Sequence, residues 1–179
     1  TTAQAALYKP VKDYLAKKLG IKVEFVASPD YKSSVTKFRN GDVQLAWFGG
    51  VSGVEARNSA EGAEALVAGE KDLKFKSYFI ANKSTGLQPT ETFPEVFKDM
   101  TFTYGSSGST SGCIMPTHFL MQSTSKSPQD FFTKGFGFSG GHKLCAQNVN
   151  NGTYQTGALS FSAFDKLKAE GKVDNCVAI

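Results

Sequence analysis

The chain has 179 residues, 40% of them hydrophobic and 20% charged, with a formal net charge of +4. That balance can fill a sizeable core and excludes a disordered chain, and no run approaches the ~20 apolar residues of a membrane-spanning helix. The positive charge is almost all lysine and evenly spread, with Arg39 and Arg57 the only arginines, so no clustered basic face speaks for a nucleic-acid partner.

The pattern alternates helix and strand. Residues 1–20 set Leu7, Val11, Leu15 and Leu19 at helical spacing and stop at Gly20. The opening Thr1-Thr2-Ala3 is compatible with a processed or trimmed protein. Residues 21–28 (IKVEFVAS) alternate as a strand, 30–41 read as a short helix ended by Gly41, and 43–50 (VQLAWFGG) as a strand running into a turn. A helix is predicted at 51–60, strands at 64–69 and 73–83, a helix at 90–99 and a strand at 100–105. Helices follow at 113–122, at 127–132 with Ser127 as N-cap and Pro128 in the first helical position, and at 140–152. A strand at 154–161, a helix at 162–171 and a strand at 175–179 complete the chain. This alternation predicts an α/β fold with mostly parallel sheets.

Cys113, Cys145 and Cys176 are odd in number and allow at most one internal disulfide. There is no CxxC and no Cys/His spacing for structural zinc, so no metal and no cofactor is expected.

Three strand-to-helix turns carry the chemistry: Trp47-Phe48-Gly49-Gly50, Gly105 to Gly112, and Gly140-Gly141-His142. In open α/β sheets, ligands sit at the carboxyl ends of strands, against helix N-termini whose N–H groups are unpaired. The stretch 103–116, TYGSSGSTSGCIMP, therefore reads as an anion cradle and not as a linker. It runs from a strand into the helix that packs on it, and Ser109, Thr110 and Ser111 add three hydroxyls. A catalytic reading is weaker. The GSTSG elbow has Thr110 at its centre, where the hydrolase elbow has serine, and GFGFSGGH has P-loop spacing without the lysine. Cys113 could be a nucleophile at a helix N-terminus or a buried structural thiol, and the second needs no partner residues. His142, at a helix start, could act as a base or donate to an anion; the neighbouring hydroxyls suit donation.

The stretches SPDYKSSVTKFRNGDVQLAWFGG, GSSGSTSGCIMPTHFL, FSGGH and YQTGALSFSAFDK, in collinear order over nearly the whole chain, resemble the phosphate/phosphite/phosphonate-binding periplasmic proteins of ABC importers. A close branch of that family is associated with selenium oxyanions. The resemblance implies a type II periplasmic-binding-protein fold: two α/β lobes with a ligand cleft between them, joined by crossing strands. Lobe one is then residues 1–85 and partial, lobe two is 86–176, and 177–179 begin the strand back, with a first crossing near 82–90. Family members begin with a strand before the first helix and continue past Ile179, which implies a fragment lacking the first strand and the C-terminal part.

By the same resemblance, Ser109, Thr110, Ser111 and His142 hold the oxyanion. Tyr31 and Phe75 face the ligand by that resemblance, Phe75 standing where the family has a tyrosine, and the turn at 47–50 adds Phe48 and Gly49 as candidate ligand contacts. The stretch ALSFSAF has no carboxylate before Asp165, so it offers nothing to an ammonium and favours a small bare oxyanion. The implied role is the solute-binding component of an ABC importer. It is periplasmic or lipid-anchored outside the cytoplasm, monomeric, partnered by a membrane permease and not an enzyme. The alternative is a small α/β hydrolase or phosphatase using Ser/Thr and His142.

Overall fold

A computed structural model describes residues 2–179; Thr1, where the first helix was expected to begin, lies outside them. The chain divides into two compact units. One runs to Phe48 and takes in Ser52–Glu64; the other comprises Gly49–Val51 and Ala65–Ile179. The main piece of the second unit begins at Ala65, and the strand that starts at Ser77 is bonded on both sides inside that unit's sheet. The turn at 82–90, read as a crossing, lies inside that unit too: Asn82 N–H donates to Gln155 O and Lys83 N–H to Asn175 O.

The first unit is built on α1 (Thr2–Leu19) and α2 (Tyr31–Arg39), and α3 (Gly50–Ser59) begins in the Gly49–Val51 piece. Asp30 caps α2, its carboxylate accepting from Ser33 N–H at 2.7 Å, and that bond holds the Asp30 carboxyl below the usual range. The strands expected at 21–28, 43–50 and 64–69 are not laddered: among the described residues none of them pairs with another strand. Alternation specifies a face, but a strand exists only when a neighbour takes its N–H and C=O groups. Ile21, Phe25, Val26, Leu45, Trp47, Leu66 and Val67 are accordingly exposed, as are Leu7, Val11 and Leu19 of the α1 stripe.

The second unit is a five-stranded sheet of β1 (Ser77–Asn82), β2 (Phe102–Tyr104), β3 (Phe136–Phe138), β4 (Thr156–Ser160) and β5 (Cys176–Ala178), in spatial order β3-β2-β4-β1-β5. β2 runs parallel to β3 and β4, while β1 is antiparallel to β4 and β5, so the sheet is mixed where sequence predicted mostly parallel strands. Around it lie α4 (Met115–Thr124), α5 (Pro128–Phe131), α6 (His142–Asn150) and α7 (Phe161–Ala169). The helix expected over 90–99 is only a 3-10 turn, Glu95–Asp99, after Pro94. β3 went unpredicted because two phenylalanines around a glycine give too short a period-2 signal. Gly137 at its centre leaves room for Tyr154, whose hydroxyl would lie 2.3 Å from an added Cβ.

The sheet is buried on both faces. One face packs Ile80, Cys145, Val149, Leu159, Phe164 and Val173 together. The other joins Phe97, Phe102, Tyr104, Leu120, Phe131 and Phe132, with Phe102 stacked on Phe132 at 4.5 Å between ring centroids. Strands buried on both faces read as apolar runs, which is why TGALS and SYFIAN were legible as strands. Both faces hold β2 and β4 rigid, and these strands carry the polar turns described next.

Candidate functional site

The Gly/Ser run leaves β2 and winds into a single wide turn, Thr110–Ile114, before α4 begins at Met115. Ser109 starts it. Its carbonyl accepts from Cys113 N–H (3.0 Å) and Ile114 N–H (3.1 Å), and the second of these is the i→i+5 bond of a π-turn. Its hydroxyl accepts from Gly112 N–H at 3.0 Å, an N-cap that sequence had not assigned to it. Gly112 O in turn accepts from Gly105 N–H at 2.9 Å, closing the run onto the end of β2. Thr110 and Ser111 lie in the first turn, where N–H groups have no helical carbonyl to bond. The run is therefore ordered, and Ser109 and Ser111 are buried, at 2% and 4% exposure.

His142 opens α6 and lies over this turn. Its Nε2 is 3.5 Å from Ser109 Oγ, and its Nδ1 accepts the backbone N–H of Ser160, the last residue of β4, at 3.3 Å. Burial pushes the ring's pKa below its ordinary 6.5. A Cβ on Gly112 would lie 2.9 Å from His142 Cε1, so only glycine lets the ring sit this close. Beneath, Thr103 Oγ1 meets Ser139 Oγ at 2.8 Å, and Asn148 Nδ2 donates to Ser139 Oγ at 3.0 Å, fastening α6 to the strands.

Of the residues singled out from sequence, Ser109, Thr110, Ser111 and His142 come together here. Thr110 also has a role the sequence did not reveal: its Oγ1 accepts from Val51 N–H at 2.9 Å, which groups Gly49–Val51 with this unit. Phe75 is nearly half exposed, at the approach to β1, edge-on to Phe161 at 5.4 Å. Tyr31 and Phe48 belong to the first unit. Tyr31 is the first residue of α2, and Phe48 meets Phe38 edge-on at 5.4 Å. Sequence missed Ser160, whose contribution is a backbone N–H and leaves no side-chain signature. It also missed Gly112, whose need for glycine depends on a ring 30 residues away.

The hydroxyls of Ser160 and Ser162 pair with each other at 3.0 Å, and Asp165 is exposed on α7. Among the described residues no three His, Cys, Asp or Glu side chains are grouped to hold a metal. Burial raises the thiol pKa of all three cysteines, Cys145 to about 12 and Cys176 to about 11, so Cys113 is a buried structural thiol and not an activated nucleophile. The arrangement is a set of neutral donors at a helix start: amides, hydroxyls and one imidazole N–H, suited to an anion with several oxygens.

Known proteins resemble this chain in sequence and fold. The profile of the phosphonate periplasmic substrate-binding proteins of ABC transporters matches residues 2–176. A probable ABC transporter phosphite-binding protein, PhnD1 of Prochlorococcus marinus (strain MIT 9301), is 37% identical over 148 residues, covering 82% of this chain and 50% of that protein. The phosphonates-binding periplasmic protein of Escherichia coli (strain K12) is 29% identical over 163 residues, covering 90% and 47%. The solved structure of the Prochlorococcus PhnD1 in complex with methylphosphonate superposes with a TM-score of 0.86 at 31% identity, over 96% of this chain and 64% of that one. The chain thus spans about half the length of the curated relatives it matches, and by fold and sequence it belongs to the phosphonate family of periplasmic substrate-binding proteins of ABC transporters.

Proposed function

We propose that this chain belongs to the solute-capturing component of an ABC importer, and that its second unit grips the head group of a small phosphorus oxyanion: phosphonate, phosphite or phosphate. The observation that carries the reading is the Ser109–Ser111 turn facing His142, with no carboxylate and no arginine among the groups that meet there. Each charge-assisted hydrogen bond in such a setting contributes roughly 1.5–3 kcal/mol, so several neutral donors suffice for a dianion. Tyr31, Phe48, Gly49 and Phe75 complete the set of proposed ligand contacts. The partners are the anion and a membrane permease, the location is outside the cytoplasm, and the protein works as a monomer without nucleic acid.

The same geometry argues against the hydrolase alternative. A general base must offer a lone pair to the serine, yet the lone pair on His142 is spent on Ser160 N–H at Nδ1. In the neutral ring the proton then sits on Nε2, the nitrogen facing Ser109, which makes His142 a donor there. No carboxylate among the described residues backs the ring. Calorimetry with phosphite, methylphosphonate and phosphate, beside a turnover assay with p-nitrophenyl phosphate, tests both readings. Heat of binding without turnover is expected. Turnover that depends on Ser109 and His142 would replace the transport reading.

A further inference from the structure

The turn that presents His142 has little packing of its own. β3 ends at Phe138, and Ser139, Gly140 and Gly141 lead to the first residue of α6. Gly140 has a φ of 83°, and a Cβ built on either glycine would meet no atom within 4 Å, so side-chain packing does not fix this backbone. Ser139 supplies the only side chain between strand and helix. We infer that Ser139 is a positioning residue for anion capture: clamped by Asn148 and Thr103, it sets the place of the His142 ring and does not itself touch the anion. The inference rests on the anion reading above.

Every proton in this clamp has an inward destination. Asn148 Nδ2 donates to Ser139 Oγ at 3.0 Å, and Ser139 Oγ lies 2.8 Å from Thr103 Oγ1. Thr103 is fully buried, and its Oγ1 is also 3.1 Å from Tyr104 O and 3.4 Å from Gly137 O. A carbonyl only accepts, so Thr103 gives its proton to one of these two and accepts the proton of Ser139. The donors therefore run from Asn148 to Ser139 to Thr103 to a strand carbonyl. Ser139 looks like Ser109 and Ser111, a serine at a glycine-rich turn, yet its one proton is spent inside the protein.

The main chain repeats the fastening. Ser139 N–H donates to Tyr104 O and Gly140 N–H to Gly105 O, both at 2.9 Å. Gly105 N–H in turn donates to Gly112 O at 2.9 Å, inside the hydroxyl turn. The two polar turns are thus joined at the end of β2, and Asn148, in the same helix as His142, closes the loop from the other side. His142 Nε2 is 3.5 Å from Ser109 Oγ, beyond the usual hydrogen-bond range. At that spacing a displacement of about 0.5 Å decides whether the ring and the hydroxyls can serve one anion.

Calorimetry with phosphite and nitrogen-15 NMR of the unliganded full chain test this together, with the fold checked by circular dichroism. Ser139→Ala should weaken phosphite about tenfold. The His142 ring, held as Nε2–H by Ser160, should become a mixture of both tautomers in that variant. Asn148→Ala removes the clamp and keeps the serine hydroxyl. It should give the same loss, and the double substitution no more than either alone. Asn148 is half-buried, so its variant remains informative if Ser139→Ala does not fold. Were Ser139 a direct ligand, Asn148→Ala would bind phosphite as the unmodified chain does, and that result overturns the inference. So does an unchanged His142 spectrum in both variants, whatever the affinity. If the unmodified chain binds no phosphite, the cradle reading fails, and the His142 spectra of the two variants still decide whether Ser139 places the ring.

Discussion

Ser160 donates its backbone N–H to His142 Nδ1 at 3.3 Å, and this leaves Nε2, 3.5 Å from Ser109 Oγ, as the protonated nitrogen of the neutral ring. One main-chain bond thereby fixes the tautomer of the one imidazole in the turn. Nitrogen-15 NMR of the unliganded chain should show the Nε2–H form of His142 across neutral pH. Adding phosphite should shift the Nε2 proton while leaving Nδ1 unprotonated at pH 8. A predominantly Nδ1–H ring would break the assignment.

The same ring sets a pH dependence of stability. The folded-state pKa of His142 lies below the ordinary 6.5 because burial penalises the imidazolium. Between the two values the unfolded chain binds more protons than the folded one, so stability is complete above about pH 6.5 and falls as pH drops through the folded value. His142→Gln should remove that part of the acid sensitivity. Urea unfolding midpoints at pH 5 and pH 8, compared between the two proteins, measure it; an equal acid loss in both would assign it to other groups.

Ser109 and Ser111 should separate stability from binding. Ser109 caps Gly112 N–H, so Ser109→Ala removes a helix cap as well as a hydroxyl and should cost about 1 kcal/mol of stability together with anion affinity. Ser111 has no such capping bond among the described residues, so Ser111→Ala should weaken phosphite or methylphosphonate about tenfold at nearly unchanged stability. Denaturation curves and calorimetry on both variants give the comparison. Wild-type affinity in both would remove the turn from the binding site.

Glycine at 112 is a steric requirement of the site. An added Cβ lies 2.9 Å from His142 Cε1 and 3.0 Å from Ser109 Oγ, so Gly112→Ala must displace the ring, the hydroxyl or both. Anion affinity should fall by about a hundredfold, since two charge-assisted bonds are disturbed. Gly157→Ala is the contrasting case. Its Cβ meets Thr103 O at 2.8 Å and Cys145 Sγ at 3.1 Å in the core, and roughly 1–3 kcal/mol of stability should be lost instead.

Ligands bearing an amine should be disfavoured. Ser160 and Ser162 engage each other, and Asp165 is exposed on α7. Transferring an ammonium to this edge without a partner costs several kcal/mol. 2-Aminoethylphosphonate should therefore bind at least about tenfold more weakly than methylphosphonate in a competition titration. The reverse order would require a carboxylate from elsewhere.

The parts of the fold legible in the sequence are those whose signal is local. Ser127-Pro128 marked a helix start, the Gly/Ser run marked a loop between strand and helix, and the apolar runs of β1 and β4 marked buried strands. The hydroxyl cluster and His142 were legible as candidates because both lie at glycine-rich turns at strand ends. What escaped depends on partners distant in sequence. The segment 21–28 alternates at Ile21, Val23 and Phe25, yet pairing is a property of two segments, and no strand among the described residues pairs with it. The 3-10 turn at Glu95–Asp99 follows Pro94, which shortened the expected helix. Ser160 acts through its backbone, and Thr110 accepts from Val51, 59 residues away.

The five-stranded sheet ends on β3 and β5, and each of these edge strands is only three residues long. A bare sheet margin is a template on which another chain can add itself, and the length of that template sets how firmly the newcomer holds. Three residues offer a visiting strand one or two main-chain bonds. Under conditions that drive cross-β growth, nuclei should form first outside this sheet, leaving its amides slow to exchange inside early aggregates.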